Sequence, residues 1–198
     1  MALIKSISGI RGTIGGRSGE TLSPVDVVKF TAAFGTILQQ QNPSATIPLK
    51  IVLGRDGRLS GEMIRDLVSN TLLSLGFNVI DLGLSTTPTV ELAVKMEQAD
   101  GGIILTASHN PKEWNALKLL NKDGEFISAD LGAKVLEKAA KEDFVFASVE
   151  KLGCITSNET YLQKHIDAVA NYPLVNKKAI AKRNLRIVVD AINSTGAI

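Results

Sequence analysis

The sequence predicts an α/β fold: a mostly parallel sheet covered by helices over residues 1–150, then a linker and the incomplete start of a second, similar unit over 151–198. Three observations carry this. Short apolar runs at 50–54, 78–83 and 102–106 suit strands buried on both faces. Stretches of helical periodicity lie between them, which is the βαβ pattern of parallel strands joined by right-handed crossovers. Polar loops, several of them rich in glycine, punctuate the strand ends.

Residues 1–20 include Ser8-Gly9-Ile10-Arg11-Gly12-Thr13-Ile14-Gly15-Gly16, too rich in glycine for a helix; they read as a short strand and a loop carrying one arginine. Ser23-Pro24 opens the first helix. Serine caps, proline suits the first turn and Asp26 sits at the positive end. Val27, Phe30, Phe34, Ile37 and Leu38 share a face of this helix, and Pro43 stops it. The strand at 50–54 runs into Arg55-Asp56-Gly57-Arg58. The second helix starts at Ser60-Gly61-Glu62, carries Ile64, Leu67, Val68, Thr71, Leu72 and Leu75 as its apolar stripe, and ends at Gly76. After the strand at 78–83, Thr87-Pro88 opens a third helix. Strands at 102–106 and 116–120 follow, then a helix from Ser128 to about Lys141. Beyond 150, a helix near 158–171 and a buried strand at 186–190 are expected, with a strand-to-helix turn at 191–196. A parallel strand needs neighbours for its backbone groups, so the natural protein is expected to continue past this turn.

Apolar residues make up 44% and charged residues 21%, a balance that supports a packed core rather than disorder. A net charge of +2 is too small to argue for nucleic acid. The densest basic cluster, Lys177, Lys178, Lys182 and Arg183, has no aromatic platform and reads as a solvated helix face. No signal peptide is visible, and no apolar run approaches the roughly 20 residues of a membrane span. The single cysteine, Cys154, reads as structural and fits a reducing compartment. A cytoplasmic location is expected, with neither nucleic acid nor membrane as partner.

Chemistry concentrates in Thr106-Ala107-Ser108-His109-Asn110-Pro111, at the expected carboxyl end of a parallel strand, where ligands of open α/β sheets gather. Serine offers a hydroxyl and histidine a proton carrier or second donor. Asparagine tolerates unusual backbone angles, and proline stiffens the loop. The amides of such a loop can cradle a phosphate. From the residues alone, the bland account, hydrogen bonds that only shape the loop, stays open. Ser108 and His109 are adjacent and point apart, unlike a protease pair, and there is no Gly-x-Ser-x-Gly elbow, so a serine hydrolase is the weakest reading. Arg55, Asp56 and Arg58 read as an ion-paired structural loop. Lys118 reads as either functional or solvent-facing, and His165 as surface.

The segment 106–111, followed by Trp114-Asn115-Ala116-Leu117-Lys118, resembles the active-site signature of the α-D-phosphohexomutases, which include phosphoglucomutases, phosphomannomutases and phosphoglucosamine mutases. Gly9-Ile10-Arg11-Gly12 is similar to that family's N-terminal arginine loop. Gly54-Arg55-Asp56-Gly57-Arg58-Leu59-Ser60 is similar to its first strand-loop signature, and residues 184–196 to the opening of its second domain. The resemblance therefore runs along essentially the whole chain. Two positions depart from it: Ala116 stands where the family often has glycine, and Trp114 where aspartate or tyrosine is common.

The resemblance implies phosphohexomutase domain I followed by the start of domain II. It implies that Ser108 is a phosphoserine, that His109 and Asn110 line its phosphate site, that Lys118 carries a proton near the reacting hydroxyl, and that Arg11 holds phosphate or the sugar phosphate. The implied reaction moves phosphate between C1 and C6 of a hexose phosphate through a hexose 1,6-bisphosphate. A phosphoserine carries about −1.5 to −2 charge at pH 7, which calls for a hard cation. Mg2+ is implied, with the phosphate on Ser108 as its ligand here and the remaining ligands outside this chain. The 198 residues alone are accordingly expected to be inactive. The alternative is a non-catalytic phosphosugar-binding paralogue.

Overall fold

A computed structural model describes residues 3–6 and 9–197. Seven strands form one sheet: β1 (Leu3–Ser6), β2 (Gly9–Thr13), β3 (Lys50–Arg55), β4 (Asn78–Leu84), β5 (Gly101–Leu105), β6 (Trp114–Leu120) and β7 (Ile155–Ser157), in the order β1-β2-β6-β5-β3-β4-β7. β3 pairs in parallel with β4 and β5, and β4 with β7. β6 runs antiparallel between β2 and β5, and β1 antiparallel to β2. The sheet is thus mixed, with β1 and β6 opposing the direction of the other strands.

The helices are α1 (Pro24–Gln41), α2 (Gly61–Ser74), α3 (Thr87–Met96), α4 (Ala129–Lys141), α5 (Tyr161–Ala170) and the short α6 (Lys177–Lys182). Strand alternation sorts the first five onto two faces. Ile51, Leu53, Ile103, Leu105, Leu117 and Leu119 share one core with α1, α2 and α4. Val52, Ile104 and Leu120 share the other with Val90, Ala93 and Val94 of α3 and Tyr161 of α5. Ile51, Val52 and Leu53 are all fully buried. At about 1.5–3 kcal/mol per buried side chain of this size, such a run must be covered on both sides. This explains why it carries no polar alternation.

The helix ends follow their sequence signals. Ser23 and Asp26 form a reciprocal capping box at α1, with Pro24 in its first turn. Thr86 caps α3, and Ser128 caps α4 by accepting from the Leu131 N–H. At the end of α2, Gly76 adopts φ +87°, its N–H donating to the Leu73 carbonyl while the Phe77 N–H reaches back to Leu72. This is a Schellman closure, and the left-handed position suits glycine.

Three expectations change. β6 begins at Trp114, two residues before the expected start. Residues 155–157, expected to link into the next helix, instead add β7 to the sheet, while the helix expected near 158–171 forms as α5 and covers it. β7 pairs with β4, and Tyr161 is 2% exposed, its hydroxyl donating to Glu97 Oε1 at 2.6 Å. The strand expected at 186–190 is absent; this stretch is irregular, and Val188 is 98% exposed. An apolar run becomes a strand only beside another backbone, and among the described residues no strand pairs with it. No helix of the described residues is long and apolar enough to cross a membrane.

Candidate active site

β3 and β5 are parallel neighbours, so the loops that follow them leave the sheet at the same edge. The Asp56 N–H donates to the Leu105 carbonyl at 3.1 Å, which locks the first turn of one loop to the end of the other strand. Beyond Leu105, Thr106 and Ala107 are buried, and the chain then emerges at Ser108 and His109, both exposed. Ser108 thus stands exposed just beyond the carboxyl end of β5.

Ser108 has φ +55°. For a residue with a β-carbon this left-handed conformation costs on the order of 1–2 kcal/mol, so its surroundings must impose it. Thr106 Oγ1 accepts the Ser108 N–H at 3.0 Å, and the Asn110 N–H turns back to the Ala107 carbonyl at 3.1 Å. The larger restraint comes from Arg58. Its Nη2 donates to the carbonyls of Ser108 and Asn110, both at 2.8 Å, and its Nη1 to those of Pro111 at 2.7 Å and Trp114 at 2.9 Å. In a trans peptide the carbonyl and the next N–H point in opposite directions. The carbonyls of Ser108 and Pro111 turn toward Arg58, so the N–H groups of His109 and Lys112 turn away from it.

Arg58 is itself fixed. Its Nε donates to Asp56 Oδ2 and its backbone N–H to Asp56 Oδ1, each at 3.1 Å. The two side chains are only 11% and 17% exposed. Arg55 pairs with Glu62 at 3.0 Å and also donates to the Asp56 carbonyl. The segment 55–58 is therefore ion-paired, as its composition indicates, and it also grips the Ser108 loop, which composition does not indicate. Asn115, fully buried, ties β6 to the start of α2 by donating to Ser60 Oγ at 2.9 Å. The Gly57 N–H donates to Ser194 Oγ at 3.1 Å, which brings the segment 191–197 against the same loop.

Ser108, His109 and Asn110 are consecutive in this loop. Arg11 and Lys118 lie in the sheet rather than in the loop: Arg11 lies opposite Ala116, and Lys118, two residues further along β6, lies opposite Ile104. Pairing of this kind places Arg11 and Lys118 on one face, as diagonal neighbours roughly 7–8 Å apart. Among the described residues no hydrogen bond links either side chain to the Ser108 loop. The Lys118 ammonium lies 5.8 Å from the centre of the Phe126 ring, close enough to Glu91 for their charges to interact. Burial raises the pKa of Glu91 above the usual carboxylate range, and the positive charge of Lys118 opposes that rise. Arg11 is half-buried, and its Nε is buried without a hydrogen-bond partner among the described residues.

One further reading changes. His165 is half-buried, and its Nδ1 meets Thr89 Oγ1 at 2.9 Å, joining α5 to α3. Thr106 and Asn115 both lie in the segments that carry the resemblance, but their supporting roles are not legible there: one acts through a short hydroxyl turn, the other through a contact fifty-five residues away.

Comparison with known proteins bears on the family and the fold. The model of phosphoglucomutase/phosphomannomutase α/β/α domain I matches residues 3–146. A phosphoglucomutase/phosphomannomutase of Thermococcus kodakarensis is 38% identical over 189 residues, covering 94% of this chain and 40% of the relative. A phosphoglucosamine/phosphogalactosamine mutase of Sulfurisphaera tokodaii is 30% identical over 199 residues, covering 100% of this chain and 41% of the relative. The chain therefore spans about two fifths of these curated relatives. Among solved structures, a phosphoglucomutase/phosphomannomutase family protein of Burkholderia thailandensis superposes with a TM-score of 0.68 at 24% identity, over 87% of this chain and 38% of that one, a likeness of fold. The match over residues 3–146, with an exposed serine at the carboxyl end of β5, places this chain in the phosphoglucomutase/phosphomannomutase family.

Proposed function

We propose that this chain carries the phosphoryl-bearing part of a phosphohexomutase, with Ser108 as the residue that holds and hands over the phosphate. The observation that supports this most is the exposed Ser108, held in a left-handed conformation while neighbouring amides turn outward, in a chain of this family. A free serine is a weak nucleophile, whereas a phosphorylated one is a donor. In the proposed step a hydroxyl of a hexose monophosphate loses its proton, and its oxygen takes the phosphoryl group. The bond from phosphorus to the Ser108 oxygen breaks, and that oxygen takes up a proton. The product is a hexose 1,6-bisphosphate, and return of its other phosphate to Ser108 moves the group between C1 and C6. His109 and Asn110 line the phosphate, Arg11 holds the anion, and Lys118 carries the proton.

Phosphoryl transfer depends on positioning and on neutralising charge. A hard cation such as Mg2+ fits a phosphoserine, whose oxygen supplies one ligand. Among the described residues no group of three or more His, Cys, Asp or Glu is placed to hold a metal ion. The 198 residues alone are accordingly proposed to be inactive as a mutase. The names of the relatives leave glucose, mannose and amino sugars open as substrates.

Mass spectrometry of the protein isolated from its own cells tests the reading. One phosphoryl group on the peptide containing Ser108, exchangeable with added hexose 1,6-bisphosphate, is the expected result. A native protein with no phosphate there, and none acquired from the bisphosphate, overturns the mutase and leaves the phosphosugar-binding paralogue.

A further inference from the structure

We propose that Arg58 is the positioning residue of the phosphoserine loop and takes no part in holding substrate, an inference that rests on the reading of Ser108 as phosphate carrier. An arginine side chain has five N–H donors in a fixed fork. In Arg58 all five are engaged: one by Asp56 and four by the carbonyls of Ser108, Asn110, Pro111 and Trp114. No donor is left for a phosphate or a sugar. Arg11, whose Nε is unpartnered, has the opposite character. Arg58 thus spends its whole donor set on the shape of the loop, and holding the anion falls to other groups.

The arrangement resists substitution by another cation. A lysine offers three donors from a single point and cannot span four carbonyls spread over seven residues. The bonds bracket the strained residue, since Arg58 takes the carbonyl of Ser108 itself while Thr106 takes its N–H. Withdrawing Arg58 leaves that side of Ser108 without its restraint. The outward orientation of the His109 and Lys112 amides then lapses with it.

The 15N-labelled chain tests this as wild type, Arg58→Met and Arg58→Lys, each also prepared with phosphoserine incorporated at position 108. Backbone order parameters at His109 and Asn110 are expected to fall from rigid values of about 0.85 to below about 0.6 in both variants. Amides of α1 and α3 should keep their positions and show that the fold stands. Arg58→Lys serves where Arg58→Met fails to fold, because it retains the charge. A folded Arg58→Lys whose loop order parameters match the wild type overturns the proposal. A 31P titration supplies a readout that mere support of the fold would not move. The wild-type phosphate is expected to titrate below the value of about 6 usual for phosphoserine, and to return to it in Arg58→Lys even though the charge is kept. A wild-type phosphate that already titrates at the free value counts against Ser108 as a phosphate site, whereas the order parameters decide Arg58, so the two readings fail separately.

Discussion

Arg58 Nη2 donates to the Ser108 carbonyl at 2.8 Å, across fifty residues of sequence. The bond is to the backbone, so the conformation at 108 is imposed whatever side chain stands there. Ser108→Ala is accordingly expected to keep the loop and the fold, with stability changed by no more than about 0.5 kcal/mol, as for an exposed site. Phosphate at position 108 should vanish entirely. Urea unfolding with intact-mass measurement checks both halves. A loss of several kcal/mol would mean that the hydroxyl, and not Arg58, holds the loop.

Arg11 gives the converse case. Its buried, unpartnered Nε is a group of the kind that costs about 1–3 kcal/mol to leave unsatisfied. Arg11→Met keeps an apolar stem and removes that donor. The variant should be as stable as the wild type or more so, while binding hexose phosphate at least tenfold more weakly in the complete protein. Calorimetric titration set beside urea unfolding reads the two effects. Reduced stability with unchanged affinity would make Arg11 a structural residue.

These cases mark what the sequence makes legible. Local chemistry reads well. Ser23, Pro24 and Asp26 announce α1, Gly76 announces the end of α2, and the apolar run at Ile51–Leu53 announces a strand covered on both sides. Ser108 is visible through its neighbours in the loop. Long-range partnership is not visible. Arg58 looks like one end of a local ion pair, and the carbonyls it gathers lie fifty or more residues away, since backbone acceptors leave no trace in residue identity. β7 is missed because its three residues are all exposed and show no alternation, their strand character coming only from pairing with β4. The run 186–190 misleads for the reverse reason, being apolar without a neighbouring strand.

Tyr161 ties α5 to α3 and sets an alkaline limit. Burial, followed by its hydrogen bond to Glu97 and the charge of that carboxylate, pushes the phenol pKa well above its ordinary value. The folded state therefore holds this proton more tightly than the unfolded chain, where the phenol titrates near 10. Its contribution is fully present below pH about 10 and is lost as pH rises through the higher folded value. Tyr161→Phe is expected to cost roughly 1.5–3 kcal/mol at pH 7, the range for a bond to a charged group. The gap should narrow above pH 10, where only the wild type weakens through this group. Urea midpoints from pH 7 to about 11.5 decide it, and a constant gap across that range refutes the linkage.

Gly76 tests whether β7 depends on the end of α2. A β-carbon there would adopt a left-handed conformation and would lie 3.0 Å from the Lys151 carbonyl and 3.7 Å from the Ala147 side chain. The segment so crowded receives the open end of α2, with the Ala147 N–H donating to the Ser74 carbonyl at 2.8 Å and the Gly153 N–H to Leu73 at 2.9 Å. It then leads directly into β7. Gly76→Ala should cost about 1–3 kcal/mol from backbone strain and the displaced segment together. The damage should also be local. Hydrogen exchange should quicken at Ile155–Ser157 and along the last turn of α2, while the Ser108 loop, at the opposite end of the parallel strands, keeps its protection. Uniform loss of protection across the sheet would show instead that β7 and the candidate site stand or fall as one cooperative unit.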